Sequence, residues 1–130
     1  RTLGEELLEP TKVYALDVLA LIDAVEVHAL SHVTGGGLES NLARVIPDGL
    51  LARLQRSSWT PAPIFRLVQQ VGGLTQADVD ATLNMGVGMV AVLPEASVDE
   101  GLALLESRGI AAWVLGEIVA DEGPGRAVLA

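Results

Sequence analysis

At 130 residues, half of them apolar, the chain is long enough to fold as one domain around its own core. Seventeen acidic residues against eight basic ones give a formal charge of −9. That balance argues against binding to nucleic acid or to an anionic membrane, since phosphate backbones are captured by clustered Lys and Arg.

The absence of cysteine removes disulfides, thiolate metal sites and cysteine nucleophiles together, and fits a cytoplasmic location. Glu5, Glu6 and Glu9 stand where the apolar segment of a leader peptide would lie. The apolar stretch from Tyr14 to Leu30 is broken by Asp17, Asp23 and Glu26, so it is not expected to span a bilayer. With only Tyr14, Trp59, Phe65 and Trp113 as aromatics, the core must be built from Leu, Val, Ile and Ala. The chain opens on Arg1 without an initiator Met, and a longer parent chain is expected.

Lys12 to Val25 is expected to be a helix, with Tyr14, Val18, Leu21, Ile22 and Val25 on one stripe and Pro10 just ahead of it. Val27 to Val33 alternates as a strand, with His28, Leu30 and His32 on one face and Val27, Ala29, Ser31 and Val33 on the other. Leu38, Leu42, Val45 and Ile46 mark a short helix stopped by Pro47. Leu50 to Leu54 reads as a strand. Thr60 and Pro61 are expected to open a helix that ends at Gly72-Gly73, and Thr75 to cap another running to about Leu83. Gly86 to Leu93 is a continuous apolar run of the kind found in buried strands. Ser97 and Glu100 have capping-box spacing for a helix ending at Arg108, with Gly109 after it. Strands are expected at Ala111–Val119 and Arg126–Leu129, separated by turn residues. The sum is a mixed domain of about four strands and five helices, without repeats or linkers.

The chemistry concentrates in one run, from Ser31-His32 through Thr34-Gly35-Gly36-Gly37 to Asn41. Three glycines in a row are expensive to order. At a strand-to-helix junction, they suggest backbone N–H groups brought close to an anion such as a phosphate. A tight turn between packed elements is an equal competitor on local grounds. His32 is placed to touch whatever the glycines bind, and an imidazole can move a proton near neutral pH. Thr34 offers a hydroxyl at the mouth of the turn. His28 and His32 would lie roughly 13 Å apart on a strand and cannot share a metal ion. No acidic triad stands nearby, so no metal site is expected, and His28 is assigned to hydrogen bonding inside the fold. No Gly-Lys-Ser/Thr follows the glycines, so the turn is not a P-loop. Gly86-Val87-Gly88 leads into a strand instead of following one, so it is not a dinucleotide fingerprint. Asn84 ahead of it is either a turn residue or a ligand contact. Asp17, Asp23 and Asp80 read as solvated helix faces.

Leu7-Leu8-Glu9-Pro10-Thr11-Lys12-Val13-Tyr14 and His32-Val33-Thr34-Gly35-Gly36-Gly37-Leu38, with Asn41, Arg44, Val45, Ile46 and Pro47, resemble the aminoimidazole ribonucleotide synthetase family. Ser57-Ser58-Trp59, Pro63-Ile64-Phe65 and Asn84-Met85-Gly86-Val87-Gly88-Met89 match it in the same order, with Leu83 where a phenylalanine is usual. The resemblance covers the whole chain but only the C-terminal half of such enzymes.

It implies an α+β, three-layer domain with a mixed sheet of about four strands flanked by helices. Residues 1–130 would form a single domain whose N-terminal, ATP-binding partner domain lies outside the chain. The implied activity is the ATP-dependent cyclo-ligase step (phosphoribosylformylglycinamidine cyclo-ligase) that converts formylglycinamidine ribonucleotide to aminoimidazole ribonucleotide in purine biosynthesis. ATP and Mg2+ would be held mainly by the other domain of a cytoplasmic homodimer, and this piece alone would be inactive. By the same resemblance, His32 would be catalytic, and Thr34, Gly35, Gly36, Gly37 and Asn84 would bind substrate or phosphate. The alternatives are a phosphate- or nucleotide-binding domain of another member of the same ATP-dependent superfamily, or a non-catalytic binding module.

Overall fold

The computed structural model describes residues Arg1–Ala130. The chain order is α1 (Leu3–Leu7), α2 (Ala15–Ala24), β1 (Ala29–His32), α3 (Gly37–Ala43), β2 (Leu50–Leu54), α4 (Pro63–Gly72), α5 (Gln76–Thr82), β3 (Met89–Val92), α6 (Val98–Ser107), β4 (Gly116–Ala120) and β5 (Arg126–Leu129). Single 3-10 turns at Arg56–Ser58 and Glu95–Ser97 complete it.

The class is α+β, as the sequence implies, and the sheet around β2 is mixed. Its order is β4-β2-β5, with β2 antiparallel to β4 and parallel to β5. The strands number five, not four, and they divide between two sheets. The second sheet pairs β1 with β3 antiparallel, Ala29 opposite Val92 and His32 opposite Met89.

Between the two sheets sits α3, which packs on β5, β1 and α5. Its Leu38 and Leu42 join Val33, Ile46, Ala52, Leu54, Val87 and Ala127 in one buried cluster. All eight are aliphatic, so the core is made as the composition requires. On the other flank α2 packs against α6, tied by an Asp17–Arg108 ion pair of 2.8 Å.

Several expected boundaries move, each for a local reason. Lys12 and Val13 are not helical, and Tyr14 is the N-cap of α2. On α2, Leu21 and Val25 are buried while Ile22 is exposed. Thr60 and Pro61 do not open α4. A residue before proline is pushed out of helical geometry, and Ala62, at φ −58 and ψ 149 ahead of Pro63, shows that constraint. The helix can therefore start no earlier than Pro63. Ser97 makes no capping box either, because the preceding 3-10 turn leaves it at φ −98 and ψ −4, not the extended geometry a cap needs. The segment from Ala111 to Leu115 is not a strand. Its Trp113 stacks on Trp59 with ring centroids 6.4 Å apart. The α1 helix, capped by a reciprocal Thr2–Glu5 box, has no counterpart among the expected elements. By contrast β2 spans the expected residues, and Thr75 caps α5 through a box with Asp78.

Candidate functional site

Strand β1 delivers His32 to the edge of a turn made by Thr34, Gly35, Gly36 and Gly37. The pairing with β3 runs one residue further, as the Val33 N–H donates to the Gly88 carbonyl at 2.9 Å. Because β1 ends where β3 begins, the turn preceding β3 lies at the same end of this sheet. That turn is Asn84–Val87, closed by a Val87 N–H to Asn84 carbonyl bond of 2.9 Å. Met85 and Gly86 at its centre both have positive φ, 52 and 91, as in a type I′ turn. Asn84 Oδ1 accepts the Gly86 N–H at 2.9 Å, so Asn84 builds the turn while its side-chain NH2 makes no intrachain bond. Expected site residues from two separate stretches thus meet at one end of a two-stranded sheet.

The three glycines are not equivalent. Gly37 is buried, with φ 77, and its Cα lies against the backbone of Asp80 on α5. A Cβ there would sit 2.9 Å from the Asp80 carbonyl carbon and would overlap its oxygen. Gly37 is therefore the point where α3 touches α5. Gly35 is exposed, with open space where its Cβ would be. The Gly35 and Gly36 N–H groups have no intrachain acceptor.

What holds this turn is the side-chain amide of Asn41, which is 4% exposed. Its Nδ2 donates to the carbonyls of Thr34 and Gly35 at 3.2 Å each and of Gly37 at 2.7 Å. The carbonyls are gathered inward, which leaves the Gly35 and Gly36 N–H groups on the outside. An amide that ties down acceptors and exposes donors suits an anion. Thr34 Oγ1 is 3.5 Å from Asn41 Oδ1, at the limit of hydrogen bonding, so the hydroxyl is free for another partner. Glu39, in the first turn of α3, directs its carboxylate away from the turn and accepts the Leu129 N–H at 2.6 Å.

His32 is exposed beside this turn. The Tyr14 ring meets it edge-on, with centroids 5.8 Å apart and planes at 66°. Tyr14 itself lies over Gly88, where a Cβ would be 2.8 Å from its Cζ. His28 does not hydrogen-bond inside the fold. Its side chain is exposed and its Nε2 lies 3.1 Å from Glu26 Oε1. Asp17 and Asp80 are not merely solvated: each is half-buried and paired with an arginine, Asp17 with Arg108 and Asp80 with Arg56. No group of three His, Asp or Glu side chains comes together to hold a cation. No helix is long and apolar enough to cross a membrane.

Sequence reasoning missed two parts of this arrangement. The Asn41 clamp has a weak local signal, an Asn four residues after a Gly-Gly-Gly run. The Gly37–Asp80 contact is tertiary and has none.

Fold and site together define an α+β domain in which a glycine turn with unpaired Gly35 and Gly36 N–H groups follows a strand ending in an exposed histidine. Residues 1–128 match the family described as AIR synthase related protein, C-terminal domain, and the chain belongs to that family. A Streptomyces fradiae protein provisionally named phosphoribosylformylglycinamidine cyclo-ligase is 59% identical over 123 residues, covering 95% of this chain and 67% of that protein. The phosphoribosylformylglycinamidine cyclo-ligase of Anaeromyxobacter sp. (strain Fw109-5) is 49% identical over 95% of this chain. That of Nitrosococcus oceani is 41% identical over 98% of it. The chain spans only 36% of the length of each of the latter two. Among solved structures, E. coli HypE, a hydrogenase maturation protein, superposes with a TM-score of 0.69 at 26% identity. That match covers 98% of this chain and 39% of HypE.

Proposed function

We propose that this chain is the C-terminal half of an ATP-dependent cyclo-ligase that closes the imidazole ring of formylglycinamidine ribonucleotide to give aminoimidazole ribonucleotide, a step of purine biosynthesis. The observation that carries the reading is His32 standing exposed beside the free Gly35 and Gly36 N–H groups, in a chain 59% identical to a relative of that name. ATP and Mg2+ would bind mainly to the domain outside this chain, and the complete enzyme would be a cytoplasmic homodimer.

The chemical difficulty is a poor leaving group, the formamide oxygen. Transfer of the ATP γ-phosphoryl group to that oxygen makes an iminophosphate. An amidine nitrogen then attacks the same carbon, the C–N bond forms, and inorganic phosphate leaves with the oxygen. Such catalysis is mostly positioning and charge stabilisation. The Gly35 and Gly36 N–H groups would hold a phosphate, either the 5′-phosphate of the substrate or the one in transfer. Gly37 would shape the turn by docking it on α5. His32 would hydrogen-bond the reacting oxygen or move a proton there, while the Thr34 hydroxyl and the Asn84 amide add contacts from the two flanking turns.

The test is formation of aminoimidazole ribonucleotide from formylglycinamidine ribonucleotide and ATP, by the full-length parent protein and by this chain alone. Product from the parent only is the expected result; no product from either overturns the reading. In the parent, His32→Ala should lower turnover by about 10²–10⁴-fold, the usual contribution of a general acid–base group. Turnover within about threefold of the unmodified enzyme would remove His32 from the chemistry. The likeness to HypE favours a second reading, a phosphate-binding domain serving another reaction of the same superfamily. A parent protein that consumes ATP without making the imidazole ring would point there.

A further inference from the structure

A cleft lies across Asp80 from Gly37 and borders the Asn84–Val87 turn through Met85. It is an open cleft of about 350 Å³ between the 3-10 turn at Arg56–Ser58, one face of α4 and the start of α5. Trp59, Phe65 and Met85 supply its apolar wall, and Arg56, Arg66, Gln69 and Gln76 its polar groups. Phe65, Arg66 and Gln69 of α4 bring a ring, a cation and an amide to this cleft.

The cleft keeps a free cation in an acidic chain, as Lys12 and Arg44 also remain unpaired elsewhere. Asp80 is the acidic group at its rim, and it is already satisfied, since one oxygen takes the Arg56 guanidinium and the other accepts from Gln76 Nε2 at 2.9 Å. Arg66 has no carboxylate within reach and no hydrogen bond, although acids outnumber bases two to one in the chain. The cleft therefore keeps one uncompensated positive charge. The Gln69 side chain also makes no intrachain bond, so an adjacent donor and acceptor both stay free. Trp59 is fixed by its Nε1–H donating to the Met85 carbonyl at 2.9 Å and by its stack on Trp113.

These groups have distinct partners in chemistry. A guanidinium without a counter-ion suits a phosphate, in bidentate fashion. A held indole and a phenyl ring suit the face of a flat heterocycle. A free primary amide can match a donor–acceptor pair on a base edge, as Gln does with adenine. We infer that this cleft binds a nucleoside monophosphate, its phosphate on Arg66 and its base against Trp59 and Phe65 with an edge on Gln69. This is a binding site separate from the glycine turn, and it stands whether or not the proposed ring closure does.

The test is titration calorimetry of the chain with AMP, adenosine and inorganic phosphate, together with Trp59 fluorescence in a Trp113→Phe background that leaves Trp59 the only tryptophan. AMP should bind and quench Trp59, and adenosine and phosphate should each bind at least about tenfold more weakly. Arg66 is exposed on a helix, where alanine is well tolerated. Arg66→Ala should weaken AMP by about tenfold or more, Gln69→Ala should weaken it as well, and Gly36→Ala should leave it unchanged. No binding of AMP at millimolar concentration overturns the inference. So does phosphate binding as tightly as AMP. Loss of binding in Gly36→Ala but not in Arg66→Ala would place the ligand at the glycine turn, and this inference would fail while the phosphate role of that turn gained support.

Discussion

Gly37 touches the carbonyl group of Asp80 so closely that no side chain fits between them, which sets how near α3 can pack to α5. The consequence reaches beyond packing. The Asp80 backbone braces the turn that exposes the Gly35 and Gly36 N–H groups, and its carboxylate holds Arg56 at the rim of the second cleft. One residue of α5 therefore stands between the glycine turn and the second cleft.

The glycine run can be divided experimentally. Gly37→Ala would force a Cβ into a positive-φ position and against backbone that cannot rotate away. Together these should destabilise the chain by about 3 kcal/mol or more. Gly35→Ala meets open space and should stay within about 0.5 kcal/mol of the unmodified chain. Urea unfolding of the two variants is the measurement, and equal losses would contradict the packing role given to Gly37.

Asn41 carries a second prediction. Its amide is buried and donates to three carbonyls, so Asn41→Ala leaves acceptors unpaired in a place water reaches poorly. A loss of about 1–3 kcal/mol is expected. Asn41→Asp should be worse than Asn41→Ala at neutral pH, because a carboxylate would face three carbonyl oxygens with no donor of its own. Thermal unfolding at pH 7 orders the variants, and an Asp variant as stable as the unmodified chain would rule out the clamp.

The lessons for reading sequence are local. Strand β2 and the Thr75 cap were legible because each is decided by neighbours within a few residues, alternation in one case and a Thr-x-x-Asp spacing in the other. The same kind of local signal misleads at the start of α4, since Thr60-Pro61 looks like a helix opening until Pro63 forbids helical geometry at Ala62. At the site, His32, Thr34 and the glycines were legible as a strand followed by a turn. Which glycine packs and which ones face outward was not, because that depends on α5, an element remote in sequence. The split of the strands into two sheets was hidden for the same reason.

Acid should weaken the start of α5. The Thr75 hydroxyl and then the Thr75 backbone N–H, both donating to Asp78, hold its carboxyl below the usual 3.8. A carboxyl lowered in the folded state contributes stability that is present above the unfolded value, near pH 4. That contribution is lost as pH falls through the lower folded value. Asp78→Asn removes the titration, so the variant should show a shallower loss of stability between about pH 5 and about pH 2.5. Superimposable pH profiles would mean that the capping bonds do not favour the ionised group.

Tyr14 links the N-cap of α2 to the site. Its ring meets His32 edge-on, and it can do so because Gly88 has no Cβ to push it away. Tyr14 would thus act as a positioning residue for the His32 imidazole. Tyr14→Phe keeps the ring and should leave the His32 ring-proton NMR shifts close to those of the unmodified chain. Tyr14→Ala removes the ring current and should move them, and Gly88→Ala should move them too by displacing Tyr14 without touching its chemistry. In the complete enzyme the same order should hold for turnover, with Tyr14→Phe near normal and Gly88→Ala impaired. If Gly88→Ala left the His32 resonances in place while Tyr14→Ala shifted them, the Tyr14 ring would reach His32 without help from Gly88, and the positioning chain from Gly88 to His32 would be broken at its first link.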